Sequence, residues 1–324
     1  MKFHPVQTDA DYERYAALHN AILPPPAATS AELKSRDSRA TRPYARWLVV
    51  KDGEDVALAG YSQNSFSADA GRFSLGVHVR PDRRGEGIAT ATTAHIRETL
   101  APLNPTSLVT YCREDHPAGV AFLTEADFVE IMREWESVLD VESFDPAPFA
   151  EARNRPLAAG IRLTTLAEEQ NRIGIEPARK LLWTLDENVG PDVPSDSPEI
   201  TPPFEEWEKI LMSGLGFRAE SFFLAVEPGG EYVGVSMLFH NQATPDLATG
   251  LTGVRRDWRR HGIALALKLM AIDYAKALGT PKVRTENATT NRPMLSINEA
   301  LGFEKEPAHI CYKKILASMP PGPQ

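Results

Sequence analysis

The chain has 324 residues, of which 42% are hydrophobic and 24% charged, and its formal net charge is −9. This length suits two domains of about 150 residues each, and the composition is typical of soluble globular enzymes rather than disordered chains. The acidic balance argues against a general nucleic-acid binder, which carries a basic excess. We therefore expect any local cluster of positive charge to serve a local anion.

The sequence also indicates the compartment. The only two cysteines, Cys112 and Cys311, lie in different halves of the chain, which predicts free thiols rather than disulfides or a metal site. The sequence has no run of 18 apolar residues and no amino-terminal signal-peptide core. His95 and His261 lack partner ligands at metal spacing. We therefore expect a cytoplasmic protein with no metal and no membrane partner.

The first half of the chain predicts a mixed sheet flanked by helices. A strand-like stretch, KFHPVQT, is followed by helical sequence and by a hairpin, RWLVVKDGEDVALAGYS, with glycine at its turn. A fourth strand, FSLGVHV, runs into a loop of arginine and glycine, RPDRRGEGIATA, that opens a helix. A strand, SLVTYC, a short helix and two closing strands, FVEIM and EWESVLDV, complete the series.

The same order of elements returns in the second half. The strand IRLTTLA, helical sequence, a hairpin, the strand LATGLTGV and the loop RRDWRRHG follow one another as before. The next helix places Ile263, Leu267, Met270 and Tyr274 on one face. A strand, KVRTEN, a short helix and two closing strands, FEKE and HICYKKIL, end the series. We place the domains at 1–147 and 161–324, with a Pro- and Ala-rich linker at 148–160.

A Pro-rich segment, residues 188–203, interrupts the second half. It is longer than an ordinary connection between elements. Long loops at such positions often cover ligand sites, but a surface insertion without a role fits the sequence equally well.

The two halves are related by an internal duplication. Their arginine-glycine loops align at a constant offset (264 − 89 = 175), and the same offset joins Phe128 to Phe303. The aligned loop pairs are Val79 with Val254, Arg84 with Arg259, Gly87 with Gly262, and Ala89 with Ala264. Three such matches in register indicate duplication rather than chance.

Each loop has the chemistry of a phosphate site. A strand that enters a helix through a glycine turn leaves unpaired backbone N–H groups at the helix start, where the helix dipole also favours an anion. Glycine allows close backbone approach, and the neighbouring guanidinium groups suit phosphate oxygens. The cation cluster therefore predicts a polyphosphate held at a helix amino terminus.

These motifs resemble those of the GNAT superfamily of N-acetyltransferases. The acetyl-CoA motif of that family, Q/R-x-x-G-x-G/A, is similar to RGEGIA at residues 84–89 and RRHGIA at residues 259–264. A second signature, an Asn-led short helix that ends in Gly-Phe, is similar to NRPMLSINEALGF at residues 291–303. The resemblance implies an α/β (α+β) fold of two tandem acyl-CoA N-acyltransferase domains, each a mixed, mostly antiparallel sheet flanked by helices.

The resemblance also implies acetyl-CoA as cosubstrate, held where the fourth and fifth strands splay apart. The main chain around Val254 would bind the pantetheine arm, the amides of residues 260–264 the pyrophosphate, and Asn291 the far end of the pantetheine. In the second copy the implied contacts are Thr252, Val254, Arg259, Arg260, His261, Gly262, Ile263, Ala264 and Asn291. In the first copy they are Val79, Arg84, Gly85, Gly87 and Ala89.

The general acid of the family is missing from both copies. The family places a tyrosine four residues before the Gly-Phe pair, where this chain has Asn298 and, in the first copy, Leu123. Asn298 can hydrogen-bond the sulfur but cannot donate a proton to it at a useful pKa. Tyr312 on the last strand, or bulk water, would have to take that role.

Glu286 is the candidate general base. It lies near the end of the strand KVRTEN, where the family gap opens toward the acceptor. A primary amine has a pKa near 10, so roughly one molecule in a thousand is neutral at pH 7, and a base is useful. Alternatively, Glu286 binds an ammonium group, faces solvent or pairs with Arg284. Asp246 and His240 are weaker candidates.

The copies differ at the remaining positions, since the first has Tyr111, His116 and Asp127 where the second has Glu286, Asn291 and Gly302. We therefore expect the second domain to be catalytic, and the first either to bind CoA without turnover or only to act as a scaffold. The predicted function is acetyl transfer to a primary amine of a small molecule by a monomer or homodimer. The alternatives are an inactive acyl-CoA-binding or sensing protein and an acetyltransferase acting on a protein amine.

Overall fold

The computed structural model describes residues 1–316, and the chain divides into two compact units. Unit 1 is Met1–Arg133 with the described residues from His309 onward, and unit 2 is Glu134–Ala308. Each unit is a mixed, mostly antiparallel sheet flanked by helices. This confirms the predicted fold class.

Unit 1 has its strands in the spatial order β1-β2-β3-β4-β5-β13. The strands are β1 Lys2–Pro5, β2 Tyr44–Lys51, β3 Glu54–Ser62, β4 Arg72–Val79, β5 Ser107–Arg113 and β13 His309–Ile315. The helices are α1 Asp9–Ile22, α2 Ser30–Ser38, α3 Ile88–Leu100 and α4 Pro117–Glu125. Neighbouring strands are antiparallel except β4 and β5, which run parallel.

Unit 2 repeats this arrangement, with the order β6-β11-β10-β9-β8-β7 and with β12 paired to β6. The strands are β6 Val129–Asp140, which begins in unit 1, then β7 Arg162–Thr165, β8 Phe222–Val226, β9 Tyr232–His240, β10 Leu247–Val254, β11 Lys282–Ala288 and β12 Glu304–Lys305. The helices are α5 Ala150–Ala158, α6 Leu166–Ile173, α7 Ile175–Val189, α8 Phe204–Met212, α9 Ile263–Ala277 and α10 Arg292–Ala300. Here the parallel pair is β10 and β11.

The structure shows the duplication in register. Strand β4, helix α3, strand β5 and helix α4 each begin 175 positions before β10, α9, β11 and α10 (247 − 72 = 175). The two arginine-glycine loops therefore occupy the same place in the two units, between the fourth strand and the following helix.

The closing strands are exchanged between the copies. Strand β6 follows the first copy in sequence but pairs antiparallel with β11 of the second copy, with Lys282 opposite Asp140 and Ala288 opposite Glu134. Strand β13 follows the second copy but pairs antiparallel with β5 of the first. The compact units therefore differ from the predicted domains 1–147 and 161–324, whose last eight residues, 317–324, lie outside the described residues.

Two further segments differ from their predictions. The stretches FVEIM and EWESVLDV, predicted as two strands, form the single strand β6. Residues 148–160, predicted as a linker, contain helix α5, and Arg153 on this helix pairs with Asp273 on α9. Their Pro and Ala content indicated a boundary between domains, whereas the segment lies within unit 2 and its helix contacts α9.

Local sequence explains several element boundaries. Three helices begin at a threonine whose side chain accepts a hydrogen bond from the third helical residue, which bonds back to it: α1 at Thr8, α2 at Thr29 and α6 at Thr165. The turn between β2 and β3 is Asp52-Gly53, with φ of 54° and 86°. Positive φ at both central positions matches the twist of a two-residue hairpin. No helix among residues 1–316 is long and apolar enough to cross a membrane.

Helix α9 is buried on most of its surface and carries one unusual residue. Lys268 is only 3% exposed, and its Nζ lies 5.5 Å from the centre of the Phe303 ring. Burial lowers the pKa of Lys268 to about 8. The charged form of this side chain therefore destabilises unit 2 at neutral pH.

Replacing Lys268 with methionine is expected to stabilise the protein. Since the folded pKa, about 8, lies below the unfolded value of 10.5, the unfolded chain binds more protons between these values, and stability rises with pH across that window. Below pH 8 the penalty is complete, so Lys268→Met should add roughly 3 kcal/mol at pH 7. Urea denaturation at pH 7 and pH 10 measures this. The exposed Lys276→Met on the same helix is the control, and an equal gain at both pH values would contradict the prediction.

Candidate active site

The parallel strands of unit 2 separate soon after they meet. Strand β10 pairs with β11 only at Leu247–Val283 and Ala248–Arg284. One residue further, the hydroxyl of Thr249 donates to Oγ1 of Thr285 over 2.6 Å. Strand β11 then continues to Ala288 and β10 to Val254. The two strands therefore lack ladder pairing beyond the two threonines, and we call this unpaired stretch between them the gap.

A β-bulge lies on the edge of the gap. The register between β10 and β9 shifts between Thr249 and Thr252, so β10 has one extra residue there. In unit 1 the corresponding pairing of β4 with β3 continues without a shift. A bulge leaves main-chain groups outside the ladder, available to a ligand. The hydroxyl of Thr252 lies 3.1 Å from that of Ser236, which fixes this side of the bulge.

The arginine-glycine loop of unit 2 is held in a specific backbone conformation. Nε of Arg259 donates to the carbonyl of Val254 over 3.1 Å. Arg260 and Gly262 both adopt positive φ, 72° and 78°. The first bond of helix α9 runs from the amide of Ala266 to the carbonyl of Gly262. The preceding amides, those of Ile263 and Ala264 among them, therefore stay outside the helical ladder, as an anion site requires.

Arg155, on helix α5, adds a further cation to this loop. Its Nη2 donates to the carbonyl of Arg260 over 3.1 Å. A methyl group on Gly262 would lie 3.1 Å from Cδ of Arg155, so the loop backbone and the arginine stem are in close contact. The contact helps to hold Arg260 in its positive-φ conformation. Sequence reasoning missed Arg155 because the segment was predicted to be a linker.

Most of the cations in this loop are paired with carboxylates. Arg255 pairs with Asp257 over 2.7 Å. Arg256 and Arg259 both pair with Asp192, in the 3-10 turn Gly190–Asp192 that follows α7. Asp192 belongs to the Pro-rich segment 188–203, which therefore contacts the loop predicted to bind phosphate.

Replacing Asp192 with asparagine is expected to tighten acetyl-CoA binding. The carboxylate competes with a phosphate for Arg259, and pairs of this exposure contribute up to about 1 kcal/mol, so the Kd should fall by roughly three- to fivefold. Calorimetry at low and moderate salt measures the change. Asp257→Asn, which removes the partner of Arg255 instead, is the control. Weaker binding by Asp192→Asn would show that Asp192 orients Arg259 rather than competing for it.

The loop of unit 1 keeps the backbone shape with a different charge. Gly85 and Gly87 have φ of 80° and 75°, and Nε of Arg84 lies 3.4 Å from the carbonyl of Val79. However, Glu86 stands where unit 2 has His261, and it bonds to Arg83 and Lys51, which lower its pKa to about 2. A carboxylate at this position repels a phosphate. His261 carries no negative charge, and its Nδ1 lies 3.2 Å from the carbonyl of Trp258.

Glu286 lies on the open part of β11, beyond the last contact with β10. It is exposed, and its partner across the sheet is Glu136 on β6. Residues directly opposite each other in an antiparallel pair point to the same face, as do alternate residues of one strand. The side chains of Arg284, Glu286 and Glu136 therefore share one face of the sheet.

Arg284 is the centre of a buried charge cluster on this face. Its guanidinium contacts Glu136 at 3.0 Å, Asp246 at 3.2 Å and Glu306 at 3.6 Å. Burial raises the pKa of Glu136. Asp246, a weaker candidate for the base, thus forms an ion pair with Arg284. Arg284 forms ion pairs with three carboxylates other than Glu286. Sequence reasoning missed Glu136 because nothing in a local pattern shows that β6 pairs with the second copy.

Asn298 lies on the other side of β11. It is 2% exposed, and its Nδ2 donates to Oδ1 of Asn287 over 2.6 Å. Asn291, predicted to contact the pantetheine, caps helix α10 by accepting a 3.4 Å bond from the amide of Met294. Asn287 alternates with Glu286 along the strand, so Asn298 and Glu286 are on opposite faces of the sheet at the gap.

Tyr312, predicted as a possible acid, lies in unit 1. It is opposite Thr110 on β5 and lines a cavity of about 790 Å³ together with Glu130, Arg133 and other residues of unit 1. Burial raises its pKa. The structure therefore places Glu286 on β11 and Asn298 on α10, in contact with β11 through Asn287, but does not place Tyr312 in their unit.

The remaining candidate histidines have structural contacts. Nε2 of His240 lies 3.0 Å from the hydroxyl of Tyr274, and burial lowers the pKa of this histidine. His95 stacks on Phe3 in unit 1, with ring centres 3.9 Å apart. Within residues 1–316, no group of three or more His, Cys, Asp or Glu side chains is arranged to hold a metal ion.

Comparison with known proteins agrees with this geometry. Residues 179–303 match the model of the acetyltransferase (GNAT) family, whereas a search of curated proteins finds no match. The chain is similar to a solved tandem GNAT protein from the clavulanic acid biosynthesis pathway, with a TM-score of 0.74, 20% identity and coverage of 97% of this chain and 98% of that one. It is also similar to a GCN5-related N-acetyltransferase from Sphaerobacter thermophilus, with a TM-score of 0.69, 21% identity and coverage of 97% and 95%.

The sheet order and the comparison with solved structures define a two-unit α/β protein in which each unit has the mixed sheet of the GNAT fold. The chain is a tandem protein of the GNAT fold, and its residues 179–303, all in unit 2, carry the match to the acetyltransferase family. The resemblance predicted from the two loops and the Asn-led helix is thus confirmed.

Proposed function

We propose that unit 2 is an acetyl-CoA-dependent N-acetyltransferase that transfers the acetyl group to a primary amine of a small molecule. The observation that carries this proposal is the gap between β10 and β11. Strand β10 leads to the loop in which Gly262, with positive φ, begins helix α9, and Glu286 lies on the part of β11 that does not pair with β10.

The loop and strand β10 would hold the cosubstrate. The amides of residues 260–264 and the guanidinium groups of Arg259 and Arg260 suit the pyrophosphate. The main chain of β10 from the bulge at Thr252 to Val254 would pair with the amides of the pantetheine arm, as an added strand does. Glu86 in unit 1 weakens the equivalent site there, so we assign cosubstrate binding to unit 2 alone.

The two faces of the sheet suit the two substrates. The amine would approach Glu286 on the face that also carries Arg284, while the thioester sulfur would lie toward Asn298 on the other face. Glu286 takes one proton from the ammonium group and passes it to water, and the free amine attacks the thioester carbonyl carbon. The C–S bond breaks, the CoA thiolate leaves with the electron pair, and the nitrogen loses its second proton to Glu286 as the amide forms. A positioned base of this kind contributes about 10²–10⁴ in rate.

The charge cluster supports a cationic acceptor. Glu136, Asp246, Glu286 and Glu306 lie on or beside this face with one guanidinium among them, Arg284. Excess negative charge attracts an ammonium group. A basic protein amine has the same positive charge and is the second candidate acceptor. The rival function is that of an acyl-CoA-binding protein without turnover, which the absence of an ionisable acid at position 298 favours.

Release of CoA thiol from acetyl-CoA tests the proposal. We expect slow release without an acceptor and acceptor-dependent release with a panel of small primary amines, with little or none for a lysine-containing peptide. Release that depends on the peptide alone would transfer the function to protein amines. Binding of acetyl-CoA without turnover for any acceptor would support the sensing protein instead.

A further inference from the structure

The sheet of unit 1 has a hollow on the face that packs against α1 and α2. Gly60 on β3 is opposite both Arg46 on β2 and Gly76 on β4, and His78 is opposite Leu58, which belongs to the core under these helices. Residues opposite each other in antiparallel strands point to the same face. Apart from its chain neighbours, a methyl group on Gly76 would come within 4 Å of the His78 ring alone. The two glycines therefore leave open space between Arg46 and His78.

Unit 2 fills the same place with hydrophobic side chains. Counted from the aligned strands β4 and β10, the strand register puts Phe222 and Met237 at the positions of Arg46 and Gly60. Phe222 and Met237 are 0% and 1% exposed. The fold therefore requires neither an arginine nor a glycine at these positions. A polar hollow in one copy, where the other copy has a close-packed core, points to a ligand in unit 1.

Four basic side chains of the elements around the hollow interact electrostatically. They are His19 on α1, Arg36 on α2, Arg46 on β2 and His78 on β4. Burial lowers the pKa of His19, and the charges of Arg36 and Arg46 lower it further. Burial, together with the charges of His19 and His116, lowers the pKa of His78 to about 4. Positive charge is therefore concentrated here, which favours a bound anion.

The carboxylates that act on these basic groups are bonded elsewhere. Asp37 accepts two hydrogen bonds from Nε of Arg46, at 2.8 and 2.9 Å. Glu32 accepts a bond from the amide of Thr29 at the start of α2. The side chain of Arg36 is exposed, and within residues 1–316 it forms no ion pair or hydrogen bond. Arg36 is therefore available to a negatively charged ligand.

The two copies also differ in the acids on this face of the sheet. His78 lies beyond Ser74, the last residue of β4 that pairs with β5, so it is on the unpaired part of its strand. Unit 1 has uncharged residues at the positions of the carboxylates on or beside the same face of unit 2. They are Gly71 for Asp246, Tyr111 for Glu286, Ile131 for Glu306 and, opposite Tyr111 on β13, Cys311 for Glu136. The acidic face of unit 2 suits a cation, whereas the basic face of unit 1 suits an anion.

We propose that the hollow over Gly60 and Gly76 binds a small organic anion through its carboxylate or phosphate group. The guanidinium of Arg36 binds the anionic oxygens directly, and Arg46 adds charge while it remains paired with Asp37. The neutral ring of His78 donates one N–H to the ligand. Because neighbouring strands are only about 5 Å apart, the two glycines accommodate a small group. This site is independent of acetyl transfer in unit 2.

Calorimetry with succinate and with glycerol 3-phosphate tests the proposal, because these small probes carry the two kinds of anionic group. We expect one site per chain for at least one probe, and the tighter probe identifies the group. Arg36→Gln should raise its Kd about 10- to 100-fold, the usual effect of removing a charged hydrogen-bond donor. Lys34→Gln is the control, since it removes the same charge from α2 at a side chain that pairs with Asp9. It should leave the Kd within about twofold of the wild type.

Filling the hollow is the second test. Gly76→Val places a β-branched side chain on a strand, where it is favoured, so the variant is expected to keep the Tm of the wild type and to lose binding of the probe. Saturating acetyl-CoA should leave the Kd of the probe unchanged. Displacement of the probe by acetyl-CoA, equal losses in Arg36→Gln and Lys34→Gln, or no binding of either probe at millimolar concentration would overturn the proposal. None of these results would affect the proposed acetyl transfer, which thiol release measures separately.

Discussion

Replacing Glu286 with glutamine is expected to lower kcat for acetyl transfer by about 10²–10⁴-fold at pH 7, with little change in the Kd of acetyl-CoA. The amide keeps the size of the side chain and removes its capacity to accept the proton of the acceptor. Glu286 lies on the part of β11 that does not pair with β10 and is not one of the loop residues that would bind phosphate. The defect should therefore be confined to the step that activates the amine.

The pH dependence of this variant distinguishes a base from an ammonium-binding group. As pH approaches the acceptor pKa near 10, the amine becomes neutral without help, so the defect of Glu286→Gln should shrink toward about tenfold or less. A group that only binds the ammonium ion would mainly raise KM for the acceptor at pH 7. The control is Glu304→Gln on strand β12, an exposed glutamate of the same unit. A kcat within threefold of wild type at pH 7 would contradict the assignment of Glu286.

The second large effect is expected at the glycine that begins helix α9. Gly262→Ala should raise the Kd of acetyl-CoA by about 10- to 30-fold, because an L residue in the left-handed region costs about 1–2 kcal/mol. The added methyl group would also meet Cδ of Arg155 at 3.1 Å. The two effects together displace the amides that face the pyrophosphate.

The first copy provides the matched control for this substitution. Gly87 has nearly the same φ, 75°, and a methyl group there meets no atom within 4 Å. Gly87→Ala therefore introduces the same kind of backbone strain without a contact like that between residue 262 and Arg155. It should leave acetyl-CoA binding unchanged if unit 2 alone binds the cosubstrate. Calorimetry on both variants measures the difference. An equal loss in both would mean that both loops bind acetyl-CoA.

Sequence reasoning succeeded where the determinants of structure are local. The loops at Gly87 and Gly262 are encoded by glycine, arginine and a following apolar helix within about a dozen residues, and both form as expected. The constant offset between the copies holds for the strands and helices on either side of these loops. Periodicity and turn chemistry depend on neighbours in the chain, so one sequence is enough to read them.

The features that sequence reasoning missed depend on contacts between distant residues. Arg284 bonds to Glu136 across 148 positions of sequence, which follows only from the pairing of β6 with β11. Arg155 reaches Arg260 across 105 positions, and Asp192 reaches Arg259 across 67. The exchange of β6 and β13 is equally invisible, because nothing in the local sequence of either strand specifies the strand with which it pairs. Local patterns specify the elements, whereas long-range packing selects their partners.

Calorimetric titration of the chain with acetyl-CoA tests the central claim most directly. We expect one site per chain, lost in Arg260→Ala and retained in Arg84→Ala, because unit 1 has Gly85 at the position of Arg260 and Glu86 at the position of His261. Two sites, or loss of binding with Arg84→Ala, would contradict the assignment to unit 2. No binding of acetyl-CoA at all would contradict the acetyltransferase function itself and leave only the fold.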